Sequence, residues 1–183
     1  MKEFKINQRF IDPERVLFKS GLSAGQTIAD LGAGSGFYAI AAAKVIGNGG
    51  KVYVVDILES ALNHVVADAR VQMIKNIVTI RADVEEGNSL SKIPDGSCDM
   101  VIFANLLHQL KDSKNLLTET YRVLKTQGKI LVIEWNDRPS PIGPKSAERL
   151  SEDESKNLVG RAGFKFDKSI ETDQYHYGLI FVK

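Results

Sequence analysis

The sequence predicts an α/β protein: a parallel sheet with helices on both faces, ending in a C-terminal antiparallel hairpin. Three observations predict it. Short continuous apolar runs, the signature of strands buried on both faces, alternate with segments of helical period. A glycine-rich turn follows the first of these runs and opens a helical segment. The last two strand-like runs are joined by a short polar link, TDQ. With 183 residues and no inter-domain linker, the chain reads as one domain.

Asp12-Pro13 reads as cap and first residue of a short helix to about Lys19, with Phe4, Phe10 and Phe18 on its apolar face. Residues 1–20 are thus a candidate cap. The first strand is 27–31 (TIADL), followed by a helix over 35–46 rich in alanine and aliphatics. The second strand is 52–56 (VYVVD); the helix over 59–74 places Leu62, Val65, Val66, Ala69 and Met73 on one face. A shorter, mixed run at 77–82 (IVTIRA) is the third strand and 100–104 (MVIFA) the fourth. Asp112 as N-cap and Gly128 just past the end bracket a helix over 111–125. The fifth strand is 129–135 (KILVIEW). Residues 136–150 hold three of the five prolines and no periodicity, so they form a long loop, a candidate lid over the cleft. Ser151 and Glu154 make a capping box for a helix to about Arg161, stopped by Gly163. Runs 164–171 and 175–182 are the hairpin.

Composition excludes several classes. Twenty-four basic against 23 acidic residues leave a net charge of +1, with no electrostatic footprint for nucleic acid or an anionic membrane. A single cysteine, Cys98, rules out an intrachain disulfide and a cysteine metal cluster, and fits a reducing compartment. The start lacks the apolar core of a signal peptide, and no run is long enough for a membrane span. A cytoplasmic protein is expected.

The chemistry-bearing motif is Asp30-Leu31-Gly32-Ala33-Gly34-Ser35-Gly36, between a strand and a helix. Glycine permits positive φ and close backbone approach to a ligand, and the free N–H groups of a helix start face it. The dinucleotide fingerprint G-x-G-x-x-G would need glycine at 37, where Phe37 stands; a nicotinamide dehydrogenase is therefore disfavoured. No Walker sequence occurs. Asp56 ends the second strand, where a carboxylate can accept both ribose hydroxyls, and Asp83 ends the third.

DLGAGSG, the Asp56 strand end and RADVE together resemble the class I S-adenosylmethionine-dependent methyltransferases, over almost the whole chain. The nearest flavour is the small-molecule branch that includes the ubiquinone/menaquinone C-methyltransferases. The resemblance implies a Rossmann-like, seven-stranded, mostly parallel sheet and S-adenosylmethionine as cofactor. It implies that Gly32, Ala33, Gly34 and Gly36 wrap its methionine part, that Asp56 with Ile57 holds the ribose, and that Asp83 and Val84 meet the adenine. Ala104 and Asn105 would line the sulfonium and acceptor side. Asp30 would either join this site or only fix the glycine loop through backbone N–H groups.

Methyl transfer from a sulfonium needs alignment and exclusion of water, and a base only where the acceptor loses a proton. His108 is the candidate base, or else a histidine that shapes the pocket. Trp135 is either a stacking partner for substrate or sulfonium or a core anchor. Phe10 and Arg138 are further acceptor-side candidates. His64 and His176 read as structural. No Asn/Asp-Pro-Pro-Tyr/Phe follows the fourth strand, against methylation of adenine or glutamine amines. The lone cysteine argues against multi-cysteine arsenic methylation, and no ligand set for a metal stands out. The expected function is methyl transfer by in-line displacement to a small-molecule acceptor; the alternative is a non-catalytic cofactor-binding module or partner subunit.

Overall fold

A computed structural model describes residues 12–183. Helix α1 (Pro13–Ser20) is followed by β1 (Thr27–Leu31), α2 (Phe37–Ile46), β2 (Lys51–Asp56), α3 (Glu59–Val71) and β3 (Ile77–Arg81). The second half contains β4 (Cys98–Ala104), α4 (Lys114–Val123), β5 (Leu124–Trp135), α5 (Glu152–Arg161), β6 (Lys165–Ile170) and β7 (His176–Val182). One seven-stranded sheet results, in the order β3-β2-β1-β4-β5-β7-β6. Neighbours from β3 to β5 pair in parallel; β7 runs antiparallel to both β5 and β6. The seven-stranded sheet with its terminal hairpin is the fold the sequence predicts.

Strand alternation splits the core in two. Ile28, Val54, Ile102, Leu131 and Ile180 pack with the buried faces of α1, α2 and α3. Leu31, Val55, Phe103, Val132 and Leu179 face the other way, against Leu116 and Leu117 of α4 and Val159 of α5. Because side chains alternate faces along a strand, Asp30, Asp56, Trp135 and His176 belong to the α1–α3 face. Glu134 and Tyr177 belong to the α4–α5 face. This assignment decides which groups can meet.

Several boundaries differ from the sequence reading. Helix α2 starts at Phe37 rather than 35, because Gly36, at φ +77°, is its N-cap. Helix α3 ends at Val71, and Met73 sits at φ +57°. Val66 and Met73, expected on the buried face, are 50% and 82% exposed. Helix α4 starts at Lys114 with Ser113 as N-cap; Asp112 instead accepts the Lys114 N–H at 2.8 Å. Its end runs directly into β5, since buried Leu124 pairs with Cys98 of β4, and Gly128 therefore lies inside the strand. Phe18, expected on the apolar face of α1, is 80% exposed; Val16 and Leu17 fill that face. Phe4 and Phe10 lie outside the described residues. The N-cap at Asp12 and the capping box at Ser151 hold: each side chain accepts the N–H three residues on.

Candidate active site

The carboxyl ends of the strands surround a cavity of about 520 Å³. One wall is the glycine turn: Asp30, Gly32, Ala33 and Gly34. Ala104 and Asn105, where the chain leaves β4, form the floor. Trp135 at the end of β5 faces them, and the link between β6 and β7 supplies Asp173, Tyr175 and His176.

The glycine turn is strapped to β2. Gly32 and Ala33 donate their N–H groups to the Val55 carbonyl at 2.8 and 3.1 Å, and Gly36 donates to Ala33 O at 2.8 Å. Gly34 donates to Asp56 Oδ2 at 2.8 Å, and Leu58 N–H reaches Asp56 Oδ1 at the same distance. Four turn amides expected to be free for a ligand are thus committed inside the protein. What the turn offers is space. Gly32, Gly34 and Gly36 have φ of +67°, +52° and +77°, which side chains resist. A Cβ at Gly32 would meet Leu106 at 2.6 Å and one at Gly36 would strike Val65, whereas nothing of the protein lies within 4 Å of a Cβ at Gly34.

Beneath the turn, Asp30 is 1% exposed and neither carboxylate oxygen has a hydrogen-bond partner. The sequence alternative that it fixes the loop through backbone N–H groups does not hold: the nearby Ala39 N–H draws its pKa down without reaching hydrogen-bond geometry. Burial, helped by the charge of Asp56, outweighs that pull and raises the pKa to about 7. The Tyr38 hydroxyl, also in the wall and also unpartnered, is pushed up by burial and then by Asp30 and Asp173.

The remaining sequence candidates are scattered around this cavity. Gly36, Asp56, Ile57, Asp83 and Val84 lie outside its wall. Asp56 ends β2 opposite Arg81, the last residue of β3, and its carbonyl accepts the Ala82 N–H at 3.1 Å; Asp83, expected to end the third strand, lies two residues beyond Arg81. Asp83 accepts the Glu85 N–H at 2.9 Å. Ile57 is half exposed and Val84 buried. Arg138 is exposed; its carbonyl accepts a bond from Arg149.

His108 is also absent from the cavity wall. It follows β4 in the short 3-10 turn Leu107–Gln109, with its Nδ1 2.6 Å from Glu134 Oε2. Glu134 Oε1 accepts the Leu107 N–H at 2.7 Å. The imidazole thus has an orienting carboxylate, but one that faces α4 and α5. Trp135 stands in the wall and is 9% exposed, with its ring 4.2 Å from that of His176. It is thus buried at the end of β5 and lines the cavity as well. In the 136–150 loop, Ile142 lines the cavity and Gly143 packs on the Trp135 ring.

Tyr38, Asp173, Tyr175 and His176 were not sequence candidates. Asp173 and His176 stand three apart in a turn, a detectable spacing, but nothing local shows that the turn folds over the glycine loop. That follows from the β5–β7 register, which sets Trp135 opposite His176.

A methyltransferase-domain family model matches residues 22–177. The chain belongs to the class I S-adenosylmethionine-dependent methyltransferases. The chain is 32% identical over 118 residues to the Escherichia coli ubiquinone/menaquinone biosynthesis C-methyltransferase UbiE, a match covering 64% of this chain and 45% of that protein. It therefore spans under half the length of the curated relatives it matches. It is similar to the crystal structure of a SAM-dependent methyltransferase from Aquifex aeolicus, with TM-score 0.86, 29% identity and coverage of 94% and 89% of the two chains. A protein of the type 11 methyltransferase class from Sulfolobus solfataricus superposes with TM-score 0.74 at 27% identity, covering 94% of this chain and 92% of that one. The family cofactor fits the residues present: an open space over Gly34, positive-φ glycines that let it approach, and an unpartnered carboxylate at Asp30. Among the described residues no helix is long and apolar enough to cross a membrane.

Proposed function

We propose that this chain transfers a methyl group from S-adenosylmethionine to a small-molecule acceptor by in-line displacement. The observation that carries the proposal is where the unsatisfied polar atoms lie. Among the described residues seven buried side-chain atoms lack a partner; five of them, on Asp30, Tyr38, Asn105 and His176, belong to residues of one cavity wall, that of the cavity over Gly32 to Gly34. Buried polar groups are almost always bonded, so such a concentration marks a site built for a polar ligand.

When bound, the cofactor supplies a methyl group on a sulfonium, an already activated leaving group. The chain's own residues position and shield. The Asp30 carboxylate, buried and unpartnered, accepts from the ammonium of the methionine part in this reading. The spare lone pairs of Asp56 accept ribose hydroxyls, with Ile57 beside them, and Asp83 and Val84 take the adenine. Ala104, Asn105 and Trp135 bound the acceptor side. Gly36 keeps the turn shape. The 136–150 loop, with Arg138, closes over the cleft and excludes water. His108, held by Glu134, positions the 105–109 turn. The near-neutral charge and the single buried cysteine support a cytoplasmic protein without a nucleic-acid partner.

The test is calorimetric titration with S-adenosylhomocysteine, followed by incubation with methyl-tritiated S-adenosylmethionine and a mixture of small hydroxyl, amine and thiol compounds. Tight binding and tritium in the low-mass fraction are expected. Absence of binding by folded protein overturns the cofactor assignment. Binding with no transfer to any compound leaves a cofactor-binding module or partner subunit.

A further inference from the structure

We infer that His176, oriented by Asp173, is the general base of this site, and that the acceptor is a flat aromatic hydroxyl compound that loses its proton as it is methylated; the inference rests on the methyl-transfer reading above. His176 Nδ1 lies 2.9 and 3.1 Å from the two oxygens of Asp173. A carboxylate only accepts, so Nδ1 carries the hydrogen and the neutral ring keeps a lone pair on Nε2. That Nε2 is buried and has no partner. The two side chains are only 7% and 5% exposed, and both residues belong to the cavity wall.

The pair is held firmly. Asp173 Oδ1 also accepts the Tyr175 and His176 N–H groups, each at 2.8 Å. Thr172 donates its hydroxyl to the His176 carbonyl at 2.6 Å. One side of the imidazole is covered by Trp135. A carboxylate fixing one ring nitrogen while the other keeps an unpartnered lone pair is the arrangement that general-base histidines need. A histidine serving only to staple the turn has no reason to leave its second nitrogen buried and unbonded, a cost the fold would otherwise avoid.

Acceptor class follows from the rest of the wall. Phe37, Tyr38, Trp135 and Tyr175 present aromatic surface, with Ile142 beside them, which suits a planar ring. In the step, the acceptor O–H proton passes to Nε2 while an oxygen lone pair forms the new bond to the methyl carbon. The methyl–sulfur bond breaks, and its electron pair stays on sulfur as the neutral thioether. The imidazolium so formed is stabilised by Asp173 and returns its proton to solvent.

The test compares wild type, His176→Gln and Asp173→Asn on a series of simple phenols, from weakly acidic ones to nitrophenols already ionised at the assay pH. S-adenosylhomocysteine titration is run in parallel on all three, and the imidazole tautomer is read from long-range 15N–1H spectra of the whole chain. Expected are unchanged product binding within about twofold, an Nδ1–H tautomer in the wild type, and a loss of about 100-fold or more for un-ionised phenols in His176→Gln. That loss shrinks towards unity for the ionised phenols, which bring no proton to remove. Asp173→Asn, which keeps an oxygen for the turn N–H groups, shows the same selective pattern with a smaller loss. An equal loss across the whole series, or none, overturns the base assignment while leaving the cofactor reading intact. A chain that binds S-adenosylhomocysteine but methylates no phenol overturns the acceptor class. No binding by the wild type removes the underlying methyl-transfer reading instead.

Discussion

His108 with Glu134 and His176 with Asp173 are built from the same two kinds of side chain, at 2.6 and 2.9 Å, yet they belong to opposite faces of one sheet end. Glu134 and Trp135 are consecutive in β5, so they point to opposite sides, and β7 answers them with Tyr177 and His176. On the α4–α5 side, both Glu134 oxygens are used, one by the imidazole and one by the Leu107 N–H. On the cavity side, Nε2 of His176 is left without a partner. The lesson is that residue type does not separate a structural pair from a reactive one. What separates them is whether a polar atom is left buried without a partner.

That difference can be broken or sharpened by mutation, because groups left open for a ligand and groups satisfied by the fold respond with opposite signs. The largest effect is expected at Asp30. Its folded-state pKa is raised from 3.8 to about 7, so ionising it costs folding free energy. The cost is absent below the unfolded value, grows as pH rises, and is complete above about pH 7. At ~1.36 kcal/mol per unit, Asp30→Asn stabilises the ligand-free protein by about 4 kcal/mol at pH 8 and hardly at all near pH 4. Urea denaturation at the two pH values checks this, and S-adenosylhomocysteine binding should weaken in the same variant.

Next comes Glu134→Ala, which leaves a buried imidazole and the Leu107 N–H unpaired. A loss of about 3 kcal/mol is expected at neutral pH, read by the same denaturation curves. A loss below about 1 kcal/mol would erase the distinction between the two pairs. Gly34→Ala is smaller, about 1–2 kcal/mol, because only the left-handed backbone resists it and its Cβ enters open space. Its product affinity, measured by calorimetry, should nonetheless fall at least tenfold, since that space is the ligand's. Smallest is Tyr38→Phe. Removing an unpartnered hydroxyl stabilises by no more than about 1 kcal/mol, seen as a slight rise in Tm.

The same contrast explains what the sequence could reveal. The cofactor wall is contiguous: DLGAGSG carries its backbone requirement in the glycines, and Asp56 is placed by the length of one strand. The order of strands was legible because each buried run is continuous. The wall proposed for the acceptor is assembled from α2, β4, β5 and the β6–β7 link, and only long-range register brings these together. His108 looked exposed to the cleft because it follows β4, but the 3-10 turn swings it to Glu134 on the other face. His176 reads as structural from the sequence because it lies in the terminal hairpin. Helix ends were misplaced where tertiary packing overrode local signals, as at Leu124, which β4 draws into the sheet.

The position of His176 as the first residue of β7 gives the link before it an evolutionary meaning. Side chains alternate strictly along the strand, so inserting or deleting one residue while the rest of β7 keeps its place would exchange the group offered to the cavity. The ends of β2 and β3 would not notice, because β1, β4 and β5 stand between them and this link in the sheet. A short polar turn is therefore a dial on which descendants of this chain can change what they modify while inheriting unchanged the apparatus that holds the methyl donor.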